Sequence, residues 1–147
     1  MRELQFKTLL FDVDGTLIDS NGAHAESWTQ AMREQGVDVN VDHIRRLIGM
    51  GGDKILPAVA HVSEDSDLGR AITNRKKQVF SEWLPPLRPT PGARALLEYL
   101  RGRHVELIIA TSADDREMTS LLKQAGVDDL IPSRTTKDDA PASKPDP

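Results

Sequence analysis

The stretch of this chain best equipped for chemistry is Phe11-Asp12-Val13-Asp14-Gly15-Thr16-Leu17. Two carboxylates one residue apart on an extended strand end project to the same side, because side chains there alternate with a period of two. Asp12 and Asp14 can therefore face one reacting atom, and Gly15 permits a sharp turn and a close backbone approach to a ligand. Two plainer accounts compete. Asp and Gly are common turn formers, and spaced acids can hold calcium. The calcium loop fails on spacing. It needs glycine at its sixth position and glutamate at its twelfth, and counting from Asp12 these are Leu17 and Ala23.

Strands and helices must hold these groups in place. Residues 6–12 form a short apolar run without strict alternation, the pattern of a parallel strand buried on both faces. A second run, residues 105–110, ends at Thr111-Ser112. Between the two lies a helical stretch of roughly 80 residues. Trp28, Ala31, Met32 and Gln35 follow helical spacing there, as do Ile44, Leu47 and Ile48. Leu68, Ile72, Val79, Phe80 and Trp83 continue it until Pro85-Pro86 stops it. Pro91-Gly92 opens a helix with Ala95, Leu96, Leu97, Tyr99 and Leu100. Asp114-Asp115 can cap one carrying Met118, Leu121, Leu122 and Ala125, closed by Gly126. A weaker strand is predicted at Leu130-Ile131, and the tail from Thr135 is polar and proline-rich. This order predicts an α/β fold: a Rossmann-like open parallel sheet (residues 1–19 and 87–147) with an all-α domain (20–86) inserted after the first strand. In such sheets ligands bind beyond the carboxyl ends of the strands. Asp12 and Thr111 both lie there.

Composition narrows the partners. Nineteen Lys and Arg against 23 Asp and Glu give a net charge of −4, which argues against a phosphate-backbone clamp and so against nucleic acid. The absence of cysteine excludes disulfides, thiolate zinc sites, iron–sulfur clusters and a cysteine nucleophile. The apolar run before Asp12 is too short for a signal-peptide core or a membrane span, so a soluble, cytoplasmic protein without a membrane partner is expected. His43, His61 and His104 show no metal-ligand spacing. Trp28, Phe80 and Trp83 are expected in the core of the insertion. His24, near Asp19 at the hinge after the acidic motif, reads as a surface residue on a first helical turn or as a positional or general-acid group.

The strand followed by DVDGTL, then IDSNGAHAESW, RRLIGMGGDKIL, PTPGARALLEYLR, IIATSA and SKPDP in that order, resembles the haloacid dehalogenase superfamily. The likeness is to its branch with an α-helical cap after the first motif, which includes phosphoglycolate phosphatases and β-phosphoglucomutases. The resemblance implies that Asp12 is a nucleophile taking the phosphoryl group as an aspartyl-phosphate, and that Asp14 is the acid/base. It implies Mg²⁺ held by the Asp12 carboxylate and the Asp14 carbonyl, which makes physical sense. A carboxylate is a weak nucleophile towards an anion, and a hard cation with oxygen ligands offsets the repulsion. The dehalogenases carry a different residue at the position of Asp14, so an acid there matches phosphoryl transfer. Thr111 and Ser112, with Gly15 and Thr16, correspond to phosphate ligands, although Thr111 also reads as a plain helix N-cap. Lys144 corresponds to the lysine that offsets charge on Asp12 and the phosphate, or is a solvated tail charge. Gly51, Gly52 and Lys54 correspond to a cap loop that closes over the substrate. Alternatively they are a glycine linker with Lys54 on the next helix's exposed face. The implied function is a Mg²⁺-dependent phosphohydrolase of a small phosphorylated metabolite, with a phosphomutase or a non-catalytic phospho-ligand-binding fragment as alternatives.

The family pattern continues with a fourth motif, an apolar strand ending in acids, and with strands flanking the first one on its other side. Neither follows Lys144 here, and Asp138 and Asp139 precede it without an apolar strand before them. The resemblance therefore predicts a sheet incomplete on its C-terminal side, with the first strand as an uncovered edge. Weak magnesium binding and low turnover are expected, with that edge covered by self-association or by a missing segment.

Overall fold

A computed structural model describes residues 6–136, 139 and 144. In chain order the elements are β1 (Thr8–Phe11), α1 (Asn21–Glu34), α2 (Val41–Arg45), α3 (Gly52–Ala60), α4 (Asp67–Trp83), α5 (Ala93–Arg101), β2 (Glu106–Ala110), α6 (Asp115–Ala125) and β3 (Ser133–Thr135). The described residues fall into two compact units. One holds 6–19, 87–136 and 139, and the other holds 20–86 and 144.

In the first unit the strands are all parallel in the order β1-β2-β3, with Phe11 opposite Ile109 and Ile109 opposite Arg134. Both connections advance across the sheet in the same direction, so right-handed crossovers lay α5 and α6 on one face. Leu107 and Ile109 of β2 are buried, and α5 packs on that strand. The opposite face carries Leu10, 68% exposed. β1 therefore alternates, with Thr8 and Leu10 exposed and Leu9 and Phe11 half-buried, where its unbroken apolar run predicted burial on both faces. Among the described residues it is the sheet's edge, as the sequence led us to expect.

The helix after β2 forms as its sequence predicts. The Asp114 carboxylate caps it by accepting from the Glu117 N–H at 2.9 Å, Gly126 ends it at φ 67°, and Met118, Leu121, Leu122 and Ala125 are all buried. One expectation needs correction. The third strand is Ser133–Thr135, not Leu130-Ile131; those two residues are apolar because they are buried in the turn that precedes it. On α5 the buried face is Ala93, Leu97 and Leu100, which leaves Leu96 and Tyr99 exposed, with the Arg103 guanidinium 4.4 Å over the Tyr99 ring. Arg94 forks onto the Asp129 carboxylate with two contacts of 2.9 Å, tying α5 to the chain beyond α6 and holding that carboxyl below its ordinary range.

In the helical unit α1 packs against α4 and α2, and α2 against α3. Its core includes Trp28, Ala31, Met32, Ile44, Leu56 and Ile72. Trp83 is not part of it: it sits in the last turn of α4, 44% exposed. The Ser66 hydroxyl caps α4 by accepting from the Gly69 N–H at 3.0 Å. Gly69 itself is pressed against the preceding loop, where a Cβ would lie 2.0 Å from the Ser63 carbonyl oxygen. Arg75 of α4 pairs with Glu34 of α1 through Nε and Nη2, the latter at 3.0 Å, which lowers the Glu34 carboxyl to about 2. Among the described residues no helix is long and apolar enough to cross a membrane.

Two outcomes follow from this packing. Gly69→Ala must displace backbone rather than a flexible side chain, so it should lower stability by about 1–3 kcal/mol in urea titrations. Glu34 has a lower carboxyl value folded than its ordinary 4.5, so its contribution is full above that value and is lost as pH falls towards about 2. Wild type should therefore lose stability relative to Glu34→Gln across that window. An equal loss of stability for the two proteins in parallel acid titrations would refute the pairing.

Candidate active site

The acidic motif sits where β1 stops. Val13 is wholly buried, and Asp12 and Asp14 on either side of it are half-buried. The turn that follows closes on one atom: the Val13 carbonyl accepts from the N–H groups of Thr16 (3.1 Å), Leu17 (2.9 Å) and Ile18 (3.3 Å). The Gly15 N–H donates back across the turn to the Ile18 carbonyl at 2.8 Å. Gly15 holds φ 71°, the left-handed region in which a Cβ is strained. The turn is then fastened to residues 88–90. Thr90 N–H donates to the Leu17 carbonyl and Asp19 N–H to the Arg88 carbonyl, both at 3.0 Å. Asp12, Asp14, Gly15 and Thr16 thus share one short, rigid turn with two buried anchors, Leu17 and Ile18.

The neighbouring strand brings the hydroxyl groups to the same end of the sheet. Phe11 pairs with Ile109, so Asp12 and the Ala110-Thr111 segment leave the sheet side by side. Thr111 is 6% exposed, and its hydroxyl accepts from the Ala113 N–H at 3.1 Å. It is not the helix N-cap, because Asp114 takes that place. A hydroxyl that accepts one hydrogen bond still has a proton to donate. Ser112 is half-buried beside it.

The other expected residues lie in the helical unit. Gly51 is the N-cap of α3, Gly52 its first residue, and Lys54 is half-buried in its first turn, not on an exposed face. A Cβ on Gly52 would stand 3.1 Å from the Trp28 ring, so packing alone accounts for that glycine. Lys144 is half-buried in a turn and groups with this unit; Ser143, Pro145, Asp146 and Pro147 around it lie outside the described residues. Asp138 does too.

The sequence reading passed over two features. At the carboxyl end of β3, next to Thr111 (whose N–H donates to the Thr135 carbonyl at 3.2 Å), Thr136 is buried. Its N–H and hydroxyl both donate to Asp139, at 2.9 and 3.2 Å. The spacing Thr-x-x-Asp carries that signal, since it is the pattern in which an acid reaches back to a helix-start N–H. In the helical unit His24 is buried, not on the surface, and its ring stacks on Phe80 at 4.0 Å. The buried Lys76 places its ammonium 4.7 Å over Phe80 and 5.8 Å over Trp28. Lys76 and Phe80 are four apart on α4, which sequence spacing could have shown.

As a metal centre, the turn offers hard oxygen donors, the kind Mg²⁺ takes from one or two carboxylates while keeping water. Among the described residues no group of three or more His, Cys, Asp or Glu forms a fuller cage. The donor chemistry of Asp12 and Asp14 fits the ion.

Known proteins resemble this chain. The "Phosphorylated carbohydrates phosphatase" of Thermotoga maritima is 28% identical over 96% of this chain and 66% of its own length. A "Phosphoglycolate phosphatase" of Pseudomonas putida is 26% identical over 96% of this chain and 54% of its own. The crystal structure of a hydrolase from Pseudomonas syringae superposes with a TM-score of 0.88 at 28% identity, covering 97% of this chain and 65% of that one. This chain thus spans between about half and two thirds of these proteins. The sequence profile described as "Haloacid dehalogenase-like hydrolase" matches residues 9–147, from β1 through both hydroxyl-bearing strand ends. With the acidic turn, the parallel sheet and the helical insertion in one continuous match, the chain belongs to the haloacid dehalogenase-like hydrolase family.

Proposed function

We propose that this chain carries the machinery of a Mg²⁺-dependent phosphohydrolase acting on a small phosphorylated metabolite in the cytoplasm. The observation that carries the reading is the pair of half-buried acids flanking the buried Val13, beside Thr111 on the adjacent strand end. The names of the relatives, phosphatases in two bacteria, support it.

In this reading an Asp12 carboxylate oxygen attacks phosphorus and the bond from phosphorus to the substrate's ester oxygen breaks. The Asp14 carboxyl gives its proton to the departing oxygen, so a neutral alcohol leaves and Asp12 holds the phosphoryl group. Asp14, now a carboxylate, takes a proton from water as the water oxygen attacks phosphorus. The Asp12–phosphorus bond breaks and inorganic phosphate is released. Thr111 donates its hydroxyl proton to a phosphoryl oxygen, and the backbone around Ser112, Gly15 and Thr16 lines the same anion. Lys144 supplies a positive charge against the phosphoryl group. Lys54, with Gly51 and Gly52 shaping the start of α3, reads the far end of the substrate. Mg²⁺ on Asp12 and Asp14 would supply charge neutralisation between carboxylate and phosphate.

The test pairs turnover with binding. The chain should release inorganic phosphate from p-nitrophenyl phosphate slowly, and only with magnesium present. Asp12→Asn should lower that rate by about 10³-fold or more, and Asp14→Asn by about 10²–10⁴-fold. Transfer of the phosphoryl group to a sugar hydroxyl in place of water would instead make the chain a mutase. Mn²⁺ replacing Mg²⁺ should broaden the amide resonances of residues 12–16 in wild type but not in Asp12→Asn. Unchanged spectra in wild type would reject the metal site whatever the turnover.

A further inference from the structure

In two places an Asp or Asn is followed directly by glycine: Asp14-Gly15 and Asn21-Gly22. Such pairs are chemically labile. The glycine nitrogen can reach the side-chain carbonyl carbon of the residue before it, and no Cβ obstructs the five-membered ring that forms. The fold treats the two pairs differently. The Gly15 N–H is bonded to the Ile18 carbonyl at 2.8 Å within the tight turn, which holds that nitrogen away from attack. Asn21 and Gly22 are the first two residues of α1, and both are exposed. Ser20 before them makes no side-chain cap bond, and among the described residues the Gly22 N–H meets no acceptor. The space around Gly22 is open, since a Cβ there would meet nothing within 4 Å. The helix end also carries about half a positive charge, which favours the nitrogen anion that must attack.

We propose that Asn21-Gly22 is a self-modification site, which converts through a cyclic imide into aspartyl and isoaspartyl forms of the chain. Hydroxide takes the Gly22 N–H proton, and the nitrogen attacks Cγ of the Asn21 side chain. The bond from Cγ to the amide nitrogen breaks, and ammonia leaves after taking a proton from water, which regenerates hydroxide. A water molecule then adds to one of the two imide carbonyls. Opening at Cγ restores the ordinary backbone with an aspartate side chain. Opening at the backbone carbonyl routes the chain through Cγ and inserts a methylene. Both products place a negative charge in a first turn that has no acid of its own. They differ in what they do to the helix. The His24 N–H donates to the Ser20 carbonyl at 3.0 Å across Asn21, and the inserted methylene enlarges that ring by one atom. The aspartyl form therefore strengthens the start of α1, and the isoaspartyl form loosens it.

Incubation of the folded chain at mildly alkaline pH, followed by tryptic digestion and fragmentation mass spectrometry, reads both pairs in one peptide, residues 8–33. Asn21 should convert while Asp14 stays intact, at a rate that rises with pH. Gly22→Ala should slow the conversion at least about tenfold, because its Cβ crowds the closing ring, with an unchanged far-UV circular dichroism spectrum. In urea titrations Asn21→Asp should shift the unfolding equilibrium towards the native state by about two- to fivefold. The purified isoaspartyl form should shift it the other way. The proposal is overturned if Asn21 of the folded chain stays intact after that of the urea-unfolded chain has converted. Isoaspartate appearing at Asp14 before Asn21 overturns it too, as does a Gly22→Ala variant that converts at the wild-type rate. If Gly22→Ala fails to fold, the comparison of folded with unfolded wild type decides alone.

Discussion

One carbonyl oxygen, that of the wholly buried Val13, organises the carboxyl end of β1. Three successive N–H groups converge on it, and Gly15 closes the same turn in the opposite direction. An extended chain has no reason to reverse after Asp14 unless those backbone groups find partners close by, since buried peptide groups left unpaired cost about as much as a lost hydrogen bond. The turn supplies them internally, and the links to Arg88 and Thr90 keep it from swinging. The two acids inherit the course of their backbone from this turn. Their separation is fixed before any ligand arrives, which is what a site must offer if it is to orient a reacting group without reorganising.

The sheet adds the second coordinate. Parallel pairing in strict register makes β1 and β2 end together, so a donor on one strand end and an acid on the other meet without long loops. Thr111 shows how finely this is set. Its backbone is bonded to β3 and its hydroxyl to the Ala113 N–H, so the side chain cannot rotate freely. Asp114, three residues on, caps the helix and leaves Thr111 to the sheet's end. Two neighbouring polar residues thus divide two tasks that either could have performed.

How much of this was legible depended on whether a signal was local. The α6 helix, with Asp114 before it and Gly126 after it, states its own limits, and its apolar period names its buried face. The acidic turn was equally plain, because Asp-x-Asp-Gly after an apolar run has few other uses. Leu130-Ile131 misled because an apolar pair in a buried turn and an apolar pair in a strand are the same string. The neighbouring Ser-Arg-Thr gives no apolar hint that its backbone completes the sheet. Burial of β1 on both faces was misjudged for a related reason: composition reports what a residue tolerates, and Leu10 faces a side of the sheet that no described helix covers. The buried His24 and Lys76 were hidden because polar residues are read as surface unless a partner is visible; His24 stacks on Phe80 across a helix pair, whereas Lys76 lies over Phe80 of its own helix and over Trp28 of α1.

The helical unit separates two readings of a glycine pair that sequence alone treats alike. Gly51 and Gly52 resemble a mobile loop over a substrate, yet the second glycine is explained by the Trp28 ring, which leaves no room for a Cβ without a shift of the neighbour. A residue whose identity is already required by packing carries no independent evidence of ligand contact. Lys54 stands half-buried in the first turn of that helix, an end where the helix dipole disfavours positive charge, so its place there is set by contacts other than the dipole.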